Sequence, residues 1–455
     1  MRYIGYLNLL LLCLVATFTA EAQRYEDYFR DSTLRIDYAF AGDVRSTSIQ
    51  PEELHCLPRW YGRRSHLSEL PLEGNGRITV RDSITGRVIY RHSFSSLYQE
   101  WLSTPEAQRV ARSYENVFLL PYPRRTAQIE IELEDMMRRT IARQSFYFEP
   151  SDILVRQHTT VAPTKHSYLH RAKHESEAID IVILAEGYTE ADMPKFLRDA
   201  ERAGRELLRY APFSDYQDYI NIIAVESRSL DSGVSVPREG KWLRTAFSAH
   251  FDTFYSERYL TTRRVKAIHD ALINIPYEHI IILANTETYG GGGIYNSYTL
   301  SSIDPRYFLP VVVHEFGHSF GGLADEYFYE QDAMTDSYAL DVEPWEQNIT
   351  SLKDFSGKKW HSLISKGTPI PTPLADKGRY PLGVYEGAAY TAKGLYRASD
   401  DCRMRTNEYP TFCPACHKAL DELIRFYLPE EAAKLSRLKV EIPKDKARSR
   451  SSKRR

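Results

Sequence analysis

A chain of 455 residues is longer than a single typical hydrophobic core, so we expect two domains. The formal net charge is −2, with 59 Lys and Arg residues against 61 Asp and Glu residues, so the chain as a whole does not attract nucleic acid or an anionic membrane. Charge therefore argues against a polyanion-binding protein, and we expect no nucleic-acid partner.

The N-terminus has the features of a secretory leader. Arg2 precedes an apolar run over residues 7–18, and Ala20-Glu21-Ala22 fits the small-residue rule for signal-peptidase cleavage. Residues 1–22 are therefore predicted to be a signal peptide, and we expect a mature protein that is secreted, periplasmic or at the cell surface. No later stretch approaches the ~18 consecutive apolar residues of a membrane helix, so no membrane span is predicted.

Residues 23–150 contain short segments in which apolar and polar side chains alternate. Such alternation is typical of half-buried strands, and several of them separated by Gly, Pro and Asp turns predict a β-sandwich-like N-terminal domain. The clearest segments are residues 34–40, 77–81, 87–90 and 128–133. This domain has no catalytic signature. Residues 151–176 are predicted to be a linker.

From residue 177 to residue 430 strand and helix patterns alternate, which is typical of an α/β or α+β domain. The predicted strands cover residues 179–184, 219–225 and 280–284, and the predicted helices cover residues 190–210 and 418–427. A glycine run at Gly290 to Gly293 follows the third strand. It lacks the Lys-Ser or Lys-Thr of a phosphate-binding loop and the spacing of a dinucleotide fingerprint.

The segment His314-Glu315-Phe316-Gly317-His318 predicts a hydrolytic zinc centre. Residues four apart lie one turn apart on the same helix face, so both imidazoles can reach one zinc ion. Glu315 stands beside the first histidine, where its carboxylate can act as general base toward a zinc-activated water. A chance match on a solvated helix is the alternative. Apolar residues at helical spacing argue against it, because they give the segment a buried face away from the histidines. They are Leu309, Val313, Phe316 and Phe320.

A tetrahedral catalytic zinc site needs a third protein ligand and one open position. Pro310 suits the first turn of the helix, and Gly321-Gly322 predicts that the helix ends within one turn of His318. A chain that turns at glycine can bring Asp325 or Glu326 back to the metal. Asp325 is the predicted third ligand, and Glu326 is the alternative.

The run from His314 to Tyr327 resembles the metzincin metallopeptidases, whose pattern is His-Glu-x-x-His-x-x-Gly-x-x-His or Asp. It departs by one residue, since the strict spacing would place the third ligand at Ala324, whereas Gly322-x-x-Asp325 keeps the distance from glycine to ligand. This offset and the Asp-Glu-Tyr ending are similar to the IgA-peptidase (igalysin) family of zinc endopeptidases. Further similar segments lie at residues 181–189, 231–237, 401–406 and 412–416, so the resemblance spans roughly residues 175 to 425.

The resemblance implies a metzincin-like zinc peptidase domain with one catalytic Zn²⁺ and with protein or peptide substrates, immunoglobulin A heavy chain being the family's precedent. It also implies a methionine turn beneath the metal, for which Met404 is the candidate; a lone methionine is otherwise more often core filler. Tyr327 and Tyr409 are candidates for a contact with the oxyanion or the substrate.

In metzincins the strand before the active-site helix borders the cleft and pairs with an extended substrate. The resemblance therefore implies a substrate-binding edge strand that contains Gly293, Ile294 and Tyr295. An ordinary mobile loop is the alternative for this glycine-rich segment.

Four cysteines follow the predicted leader, namely Cys56, Cys402, Cys413 and Cys416. An exported protein meets an oxidising environment, in which cysteines are expected to pair. Cys413-Pro-Ala-Cys416 resembles half of a zinc knuckle or a redox motif, but no second Cys-x-x-Cys and no thioredoxin-like context accompany it. We predict a disulfide from Cys402 to Cys413 or Cys416, which pins the candidate methionine turn to the following helix and leaves Cys56 unpaired.

Residues 431–455 end in a basic, Ser-rich stretch and are predicted to be a disordered tail. The leading hypothesis is a secreted zinc endopeptidase. The alternatives are an exported glycan- or surface-binding protein with a degenerate zinc domain, and a zinc amidase that acts on cell-wall peptide. The presence of Glu315 argues against degeneracy. None of these patterns indicates an oligomeric state.

Overall fold

The computed structural model describes residues 23–328 and 338–429; the predicted leader and the predicted tail lie outside the described residues. The helices are α1 (Tyr25–Tyr28), α2 (Leu97–Leu102), α3 (Met193–Arg209), α4 (Val265–Ala271), α5 (Phe308–Ser319) and α6 (Pro414–Tyr427). The strands are β1 (Phe29–Asp43), β2 (Ser46–Leu57), β3 (Gly76–Asp82), β4 (Val88–Phe94), β5 (Arg112–Pro123), β6 (Ala127–Glu134), β7 (Thr140–Phe148), β8 (Arg156–Gln157), β9 (His166–His170), β10 (Ile179–Glu186), β11 (Ile220–Val225), β12 (His279–Ala284), β13 (Gly291–Ile294), β14 (Tyr298–Ser302), β15 (Ile349–Thr350), β16 (Tyr385–Ala388) and β17 (Thr391–Arg397).

Two four-stranded sheets form the N-terminal region. One has the strand order β5-β1-β2-β8 and the other β4-β3-β6-β7, and all neighbours are antiparallel except β2 and β8. Aromatic side chains join the two sheets, because the ring of Phe94 on β4 lies 6.0 Å from Phe40 on β1 and 4.5 Å from Phe118 on β5. The prediction of a β-rich N-terminal region is confirmed.

The predicted linker, residues 151–176, contains two strands. β8 extends the first N-terminal sheet by pairing with β2, and β9 pairs antiparallel with β11 in the following sheet. The segment is therefore part of both sheets rather than a separate connection. Local sequence pattern gives little sign of these strands, because both are short and polar and their pairing depends on distant partners.

A six-stranded sheet with the order β13-β14-β12-β10-β11-β9 forms the centre of the second region. The four central strands β14, β12, β10 and β11 are parallel to one another. The edge strands β13 and β9 are antiparallel to β14 and β11. The strands and helices predicted between residues 177 and 430 correspond to β10, β11, β12, α3 and α6. The observed architecture is a mixed α/β sheet preceded by the β-rich region.

Alternate side chains of the central strands enter two different cores. On β10, Val182 and Leu184 belong to the core shared with the N-terminal sheets, whereas Ile181 and Ile183 belong to the core beneath α3, α5 and α6. Because both faces of the sheet are covered, its parallel strands are continuous apolar runs. The N-terminal region thus packs on one face of the sheet, and the three helices pack on the other.

Helix α5 packs beside β13 and β14, and the chain that follows it runs along a third sheet with the order β15-β17-β16. The Ser319 carbonyl at the end of α5 accepts the backbone N–H of Asn296 at 2.8 Å. Further along, the N–H of Ala389 donates to the Asp325 carbonyl at 2.9 Å, and the N–H of Tyr390 donates to the Tyr327 carbonyl at 3.0 Å. Residues 325–327 are therefore held between α5 and the third sheet.

None of the helices in residues 23–328 and 338–429 combines the length and the hydrophobicity needed to cross a bilayer.

Buried His279, at the start of β12, should make the fold sensitive to acid. Its ring lies 4.7 Å from the Phe320 ring, its Nε2 has no hydrogen-bond partner, and burial lowers its pKa from 6.5 to about 3. Between about pH 3 and pH 6.5 the unfolded chain binds a proton at residue 279 that the folded chain does not bind. The contribution of neutral His279 to the free energy of unfolding is therefore full above pH 6.5 and is lost as the pH falls. We expect His279 to contribute a slope of up to about 1.4 kcal/mol per pH unit to the free energy of unfolding.

Denaturant unfolding at a series of pH values measures this slope. His279→Leu should reduce this slope by the contribution of one proton. His174→Leu, the same substitution at an exposed histidine, should leave the slope unchanged. Parallel curves for the wild type and His279→Leu would contradict the assignment.

Candidate metal centre

Helix α5 follows a turn that the Asp304 side chain holds in place. The Asp304 Oδ1 atom accepts the backbone N–H groups of Arg306 at 2.8 Å and Tyr307 at 2.6 Å. Pro310 lies in the first turn, where backbone N–H groups have no partner within the helix, so the N–H that proline lacks is not needed there. Phe316 and Phe320 on the opposite face are buried, so the helix is anchored with its two histidines toward the third sheet.

Both histidines are oriented by backbone carbonyls. The Nδ1 atom of His314 lies 2.9 Å from the Arg403 carbonyl, and that of His318 lies 2.5 Å from the Leu323 carbonyl. A carbonyl only accepts, so each Nδ1 donates a proton to it, which leaves the Nε2 atom of each ring to bind a proton or a metal ion. The two Nε2 atoms are 3.1 Å apart. Such outer hydrogen bonds are typical of metal-binding histidines.

The end of α5 turns the chain back toward these nitrogens. Gly322 has φ +55°, in the left-handed region, and a Cβ atom there would lie 2.5 Å from the Trp345 ring, so glycine is required on two grounds. The N–H of Leu323 donates to the Gly317 carbonyl at 3.1 Å, which closes the turn. This turn supplies the carbonyl that holds His318 and then returns the chain toward α5, as the Gly-Gly pair predicts.

Asp325 lies against both histidines. Its Oδ1 atom is 3.0 Å from the His314 Nε2 and 3.3 Å from the His318 Nε2, and this buried oxygen has no hydrogen-bond donor. Although burial raises the pKa of the Asp325 carboxyl, the charges of the two histidines hold it well below its usual range. Burial lowers the pKa of His318, yet the Asp325 charge raises it to about 9. The three groups therefore attract a positive charge strongly.

These three atoms fit a zinc ion. Four ligands arranged tetrahedrally at about 2.0–2.1 Å from zinc lie roughly 3.3–3.4 Å from one another. The three observed separations are 3.0, 3.1 and 3.3 Å. Two imidazole nitrogens and one carboxylate oxygen are also ordinary zinc ligands, and three protein ligands leave one position of a tetrahedron open. The donor set is thus that of a catalytic rather than a structural site.

Two tyrosines support the carboxylate. The hydroxyl of Tyr390, in the turn between β16 and β17, donates to the Asp325 Oδ2 atom, and the hydroxyl of Tyr327 donates to that of Tyr390 at 3.3 Å. The Tyr327 ring is nearly parallel to that of His314, with centroids 6.5 Å apart. Sequence reasoning found Tyr327 through the resemblance but missed Tyr390, which carries no local signal and reaches the site only through the third sheet.

Met404 packs under α5. Its side chain is fully buried, and a Cβ atom added to Gly317 would lie 2.6 Å from the Met404 sulfur, so the helix can approach the methionine only at a glycine. The Met404 carbonyl also accepts the backbone N–H of Glu326 at 2.8 Å. The structure thus places Met404 against α5 at Gly317, between the two histidines in sequence, and its role as a methionine turn stays a prediction.

The Glu315 carboxyl lies beside the glycine-rich strand β13. A Cβ atom on Gly291 would lie 2.8 Å from the Glu315 Oε1 atom, and one on Gly293 would lie 2.3 Å from the Glu315 carbonyl oxygen. Side chains at these positions would collide with the helix, so β13 can border it only as bare backbone. Burial raises the pKa of the Glu315 carboxyl, against the opposing charges of His314 and His318. A raised pKa suits a group that accepts a proton near neutral pH.

The predicted edge strand differs from the structure in part. β13 is an edge strand and contains Gly293, but Ile294 and Tyr295 are buried. The Tyr295 ring packs 5.2 Å from that of Trp345, and its carbonyl accepts the N–H of Ser95 at 2.9 Å. The N-terminal region therefore covers the side chains of Ile294 and Tyr295, and the substrate contact of this strand stays a prediction. Gly291 to Gly293 remain as the backbone beside Glu315.

Tyr409 and Glu326 lie elsewhere. Tyr409 is exposed at the surface, and no contact found in the described residues links it to the candidate centre. Glu326 points away from the histidines, with its Oε1 atom 3.0 Å from the Cys416 sulfur and 3.1 Å from the Asn348 amide nitrogen. Of the two candidates for the third ligand, the structure brings Asp325 to the histidines.

The N-terminal region contributes a carboxyl that sequence reasoning missed. Glu100 on α2 accepts a hydrogen bond from the Tyr259 hydroxyl, and its charge acts on those of Glu315, His318 and Asp325. Burial raises the pKa of Glu100 to about 7, against the hydrogen bond from Tyr259. Nothing in the sequence near residue 100 indicates this position, because the contact joins two regions far apart in the chain.

The predicted disulfide is absent. No disulfide joins the cysteines in residues 23–328 and 338–429, and the sulfurs of Cys402 and Cys416 are 3.7 Å apart, compared with about 2.05 Å in a disulfide. The prediction of a bridge from Cys402 to Cys413 or Cys416 is wrong for this structure, although all three residues do lie together. Cys56 is unpaired, as predicted.

Comparison with known families agrees with this geometry. A family profile described as IgA Peptidase M64 matches residues 168–381 and 376–424, and one described as Peptidase M64 N-terminus matches residues 24–145. The chain belongs to the IgA peptidase M64 family. It is therefore a metallopeptidase with protein or peptide substrates, and the family predicted from the sequence is confirmed. No curated protein matches the chain.

In this M64 peptidase, the Tyr390 hydroxyl should tune metal affinity through Asp325. Tyr390→Phe removes the hydrogen bond to the Asp325 Oδ2 atom and should weaken metal binding by about 10–100-fold, the usual effect of losing an outer-shell partner. Competition with a chromogenic chelator measures the affinity.

Tyr396→Phe on β17 is the matched control and should bind zinc as the wild type does. An unchanged affinity in Tyr390→Phe would show that the hydroxyl does not support the metal ligand.

Proposed function

We propose that this metallopeptidase is a zinc endopeptidase, that Glu315 is its general base, and that it acts on protein substrates after export. The observation that carries the proposal is the convergence of the Nε2 atoms of His314 and His318 and the Oδ1 atom of Asp325 within 3.3 Å of one another. A carboxylate oxygen of Glu315 also lies within 4.8 Å of a ring nitrogen of each histidine. Export rests on the leader pattern in residues 1–22, which lie outside the described residues.

A zinc ion held by His314, His318 and Asp325 would supply Lewis acidity to a peptide carbonyl and a lowered pKa to a water molecule. Glu315 would take the proton of that water at its carboxylate and give it to the nitrogen of the leaving amine. Its raised pKa favours both transfers, since a catalytic group works best with a pKa near the working pH. The buried surroundings of Glu315 also strengthen its electrostatic interactions.

We assign the contact with the substrate carbonyl to Tyr327 rather than to Tyr409. The Tyr327 ring is nearly parallel to that of His314, and its hydroxyl, which donates to Tyr390, would exchange that hydrogen bond for one to the substrate carbonyl. Tyr409 is exposed and lies apart from these residues.

Gly291 to Gly293 support the recognition of an extended peptide. The substrate strand would lie beside Glu315 and use main-chain hydrogen bonds, which need no chain terminus and therefore favour cleavage within a polypeptide. The N–H of Leu260 already donates to the Gly291 carbonyl at 3.4 Å, and Gly292 is buried, so half-buried Gly293 is the residue of β13 that would take up such pairing. The antiparallel β13 beside the active-site helix also supports a metzincin-like domain.

The proposal is tested with wild type, Glu315→Gln and Glu287→Gln on three substrates: an unfolded protein, immunoglobulin A and peptidoglycan fragments. Glu315→Gln should keep its zinc but lose about 10²–10⁴-fold in kcat, because the proton acceptor is gone while the metal ligands remain. Glu287→Gln changes an exposed glutamate after β12 and should keep full activity. Chelation should abolish cleavage by the wild type.

The same assay separates the alternatives. Turnover only on peptidoglycan fragments would favour a zinc amidase, and bound zinc without turnover on any substrate would favour the binding protein. Full activity in Glu315→Gln would show that Glu315 is not the general base.

A further inference from the structure

A second group of metal-binding side chains lies behind the candidate centre. It consists of Glu326, Cys402, Cys413 and Cys416, referred to below as the cysteine cluster. One donor atom of each residue lies within 4.8 Å of those of the others, and all four side chains are buried. The cluster joins three parts of the chain: the segment after α5, the turn that contains Met404, and the start of α6.

The sulfur positions fit a tetrahedral metal site better than a disulfide. Two thiolates bound to zinc at about 2.3 Å lie roughly 3.8 Å apart at the tetrahedral angle, and a disulfide requires about 2.05 Å. The sulfurs of Cys402 and Cys416 are 3.7 Å apart. The Glu326 Oε1 atom lies 3.0 Å from the Cys416 sulfur and 3.8 Å from the Cys413 sulfur, around the roughly 3.6 Å that zinc with mixed sulfur and oxygen ligands gives.

A disulfide would leave the cluster incomplete. Three thiols cannot all pair with one another, and the fourth described cysteine, Cys56, lies on β2 in the N-terminal region. The Glu326 side chain is fully buried, and its Oε2 atom has no hydrogen-bond partner. An unpartnered carboxylate oxygen in a protein interior is costly unless a cation or a proton compensates it. A metal ion uses all four residues at once.

Hydrogen-bond donors and positive charge lie next to the cysteine cluster. The N–H of Cys413 donates to the Cys402 sulfur at 3.1 Å, and the Asn348 amide donates to the Glu326 Oε1 atom at 3.1 Å. Cys413 is the N-cap residue of α6 and Cys416 lies in its first turn, where the positive end of the helix dipole stabilises negative charge. Buried Arg397 adds a positive charge that acts on Glu326.

We propose that the cysteine cluster is a structural zinc site with Cys402, Cys413, Cys416 and Glu326 as its four ligands. Three thiolates and one carboxylate in a tetrahedral arrangement select zinc over the hard cations magnesium and calcium, which prefer oxygen alone. All four positions are filled by protein, so no position is open for water or substrate, which distinguishes this site from the candidate catalytic centre.

Such a site would hold the catalytic centre in place. Asp325 and Glu326 are consecutive residues whose side chains point to opposite sides, one to the histidines and one to the cysteine cluster. Cys402 precedes Met404 by two residues in the same turn. A zinc ion in the cluster would therefore connect α6 both to the third ligand of the catalytic centre and to the methionine beneath it.

Zinc content measured by mass spectrometry, on full chains purified without chelator, tests the proposal. The wild type should hold two zinc ions per chain, Cys416→Ser one, and the double variant His314→Ala/His318→Ala one. Cys56→Ser is the matched control and should keep both. Because the histidine variant removes the catalytic centre only, loss of the proposed enzymatic function and loss of the cysteine site give different results.

A measurement that does not depend on a cysteine variant folding is the zinc X-ray absorption spectrum of His314→Ala/His318→Ala. Sulfur neighbours at about 2.3 Å around its remaining zinc would support the site. Nitrogen and oxygen neighbours alone, or a protein without zinc, would overturn it. Peptide mapping after alkylation in denaturant and chelator should recover Cys402, Cys413 and Cys416 as thiols, and a disulfide between any two of them would also overturn the proposal.

Discussion

The structure depends on one electrostatic constraint: three atoms with lone pairs, two imidazole nitrogens and one carboxylate oxygen, face one another at 3.0–3.3 Å inside the protein. Such atoms repel unless a positive charge lies among them, so the surrounding fold must hold them together. The Arg403 and Leu323 carbonyls orient the rings, and the Tyr390 hydroxyl orients the carboxylate. The residues that make these hydrogen bonds lie far apart in the chain. The third sheet must therefore pack against α5 for the three atoms to meet.

The turn at Gly322 connects this constraint to the rest of the molecule. It ends α5, supplies the carbonyl that holds His318 and leads into the extended residues Asp325 and Glu326. Because consecutive extended residues point to opposite sides, one stretch of backbone contributes to both the candidate metal centre and the cysteine cluster. Asn348 fixes that stretch, since its side-chain amide bonds to both backbone groups of Ala324 at 2.8 Å.

The β-rich N-terminal region takes part in the site. Ser95 bonds to the Tyr295 carbonyl, and Glu100 on α2 bonds to Tyr259 and acts electrostatically on the charged groups around Glu315. The region therefore covers one end of β13, the strand that borders α5. The N-terminal region thus packs against the residues around β13.

The sequence by itself determined what depends on neighbouring residues. Helical spacing placed His314 and His318 on one face, Gly321-Gly322 predicted the turn that returns Asp325, and continuous apolar runs predicted the central strands. Only the tertiary structure decided what depends on residues far apart in the chain. It directs Asp325, and not Glu326, toward the histidines, and it buries Ile294 and Tyr295. It also brings Tyr390 and Glu100 to the site and places three cysteines around the Glu326 carboxylate without a disulfide between them. Local pattern cannot indicate such contacts, because each one arises from the packing of sheets and helices and not from the spacing of residues along one element.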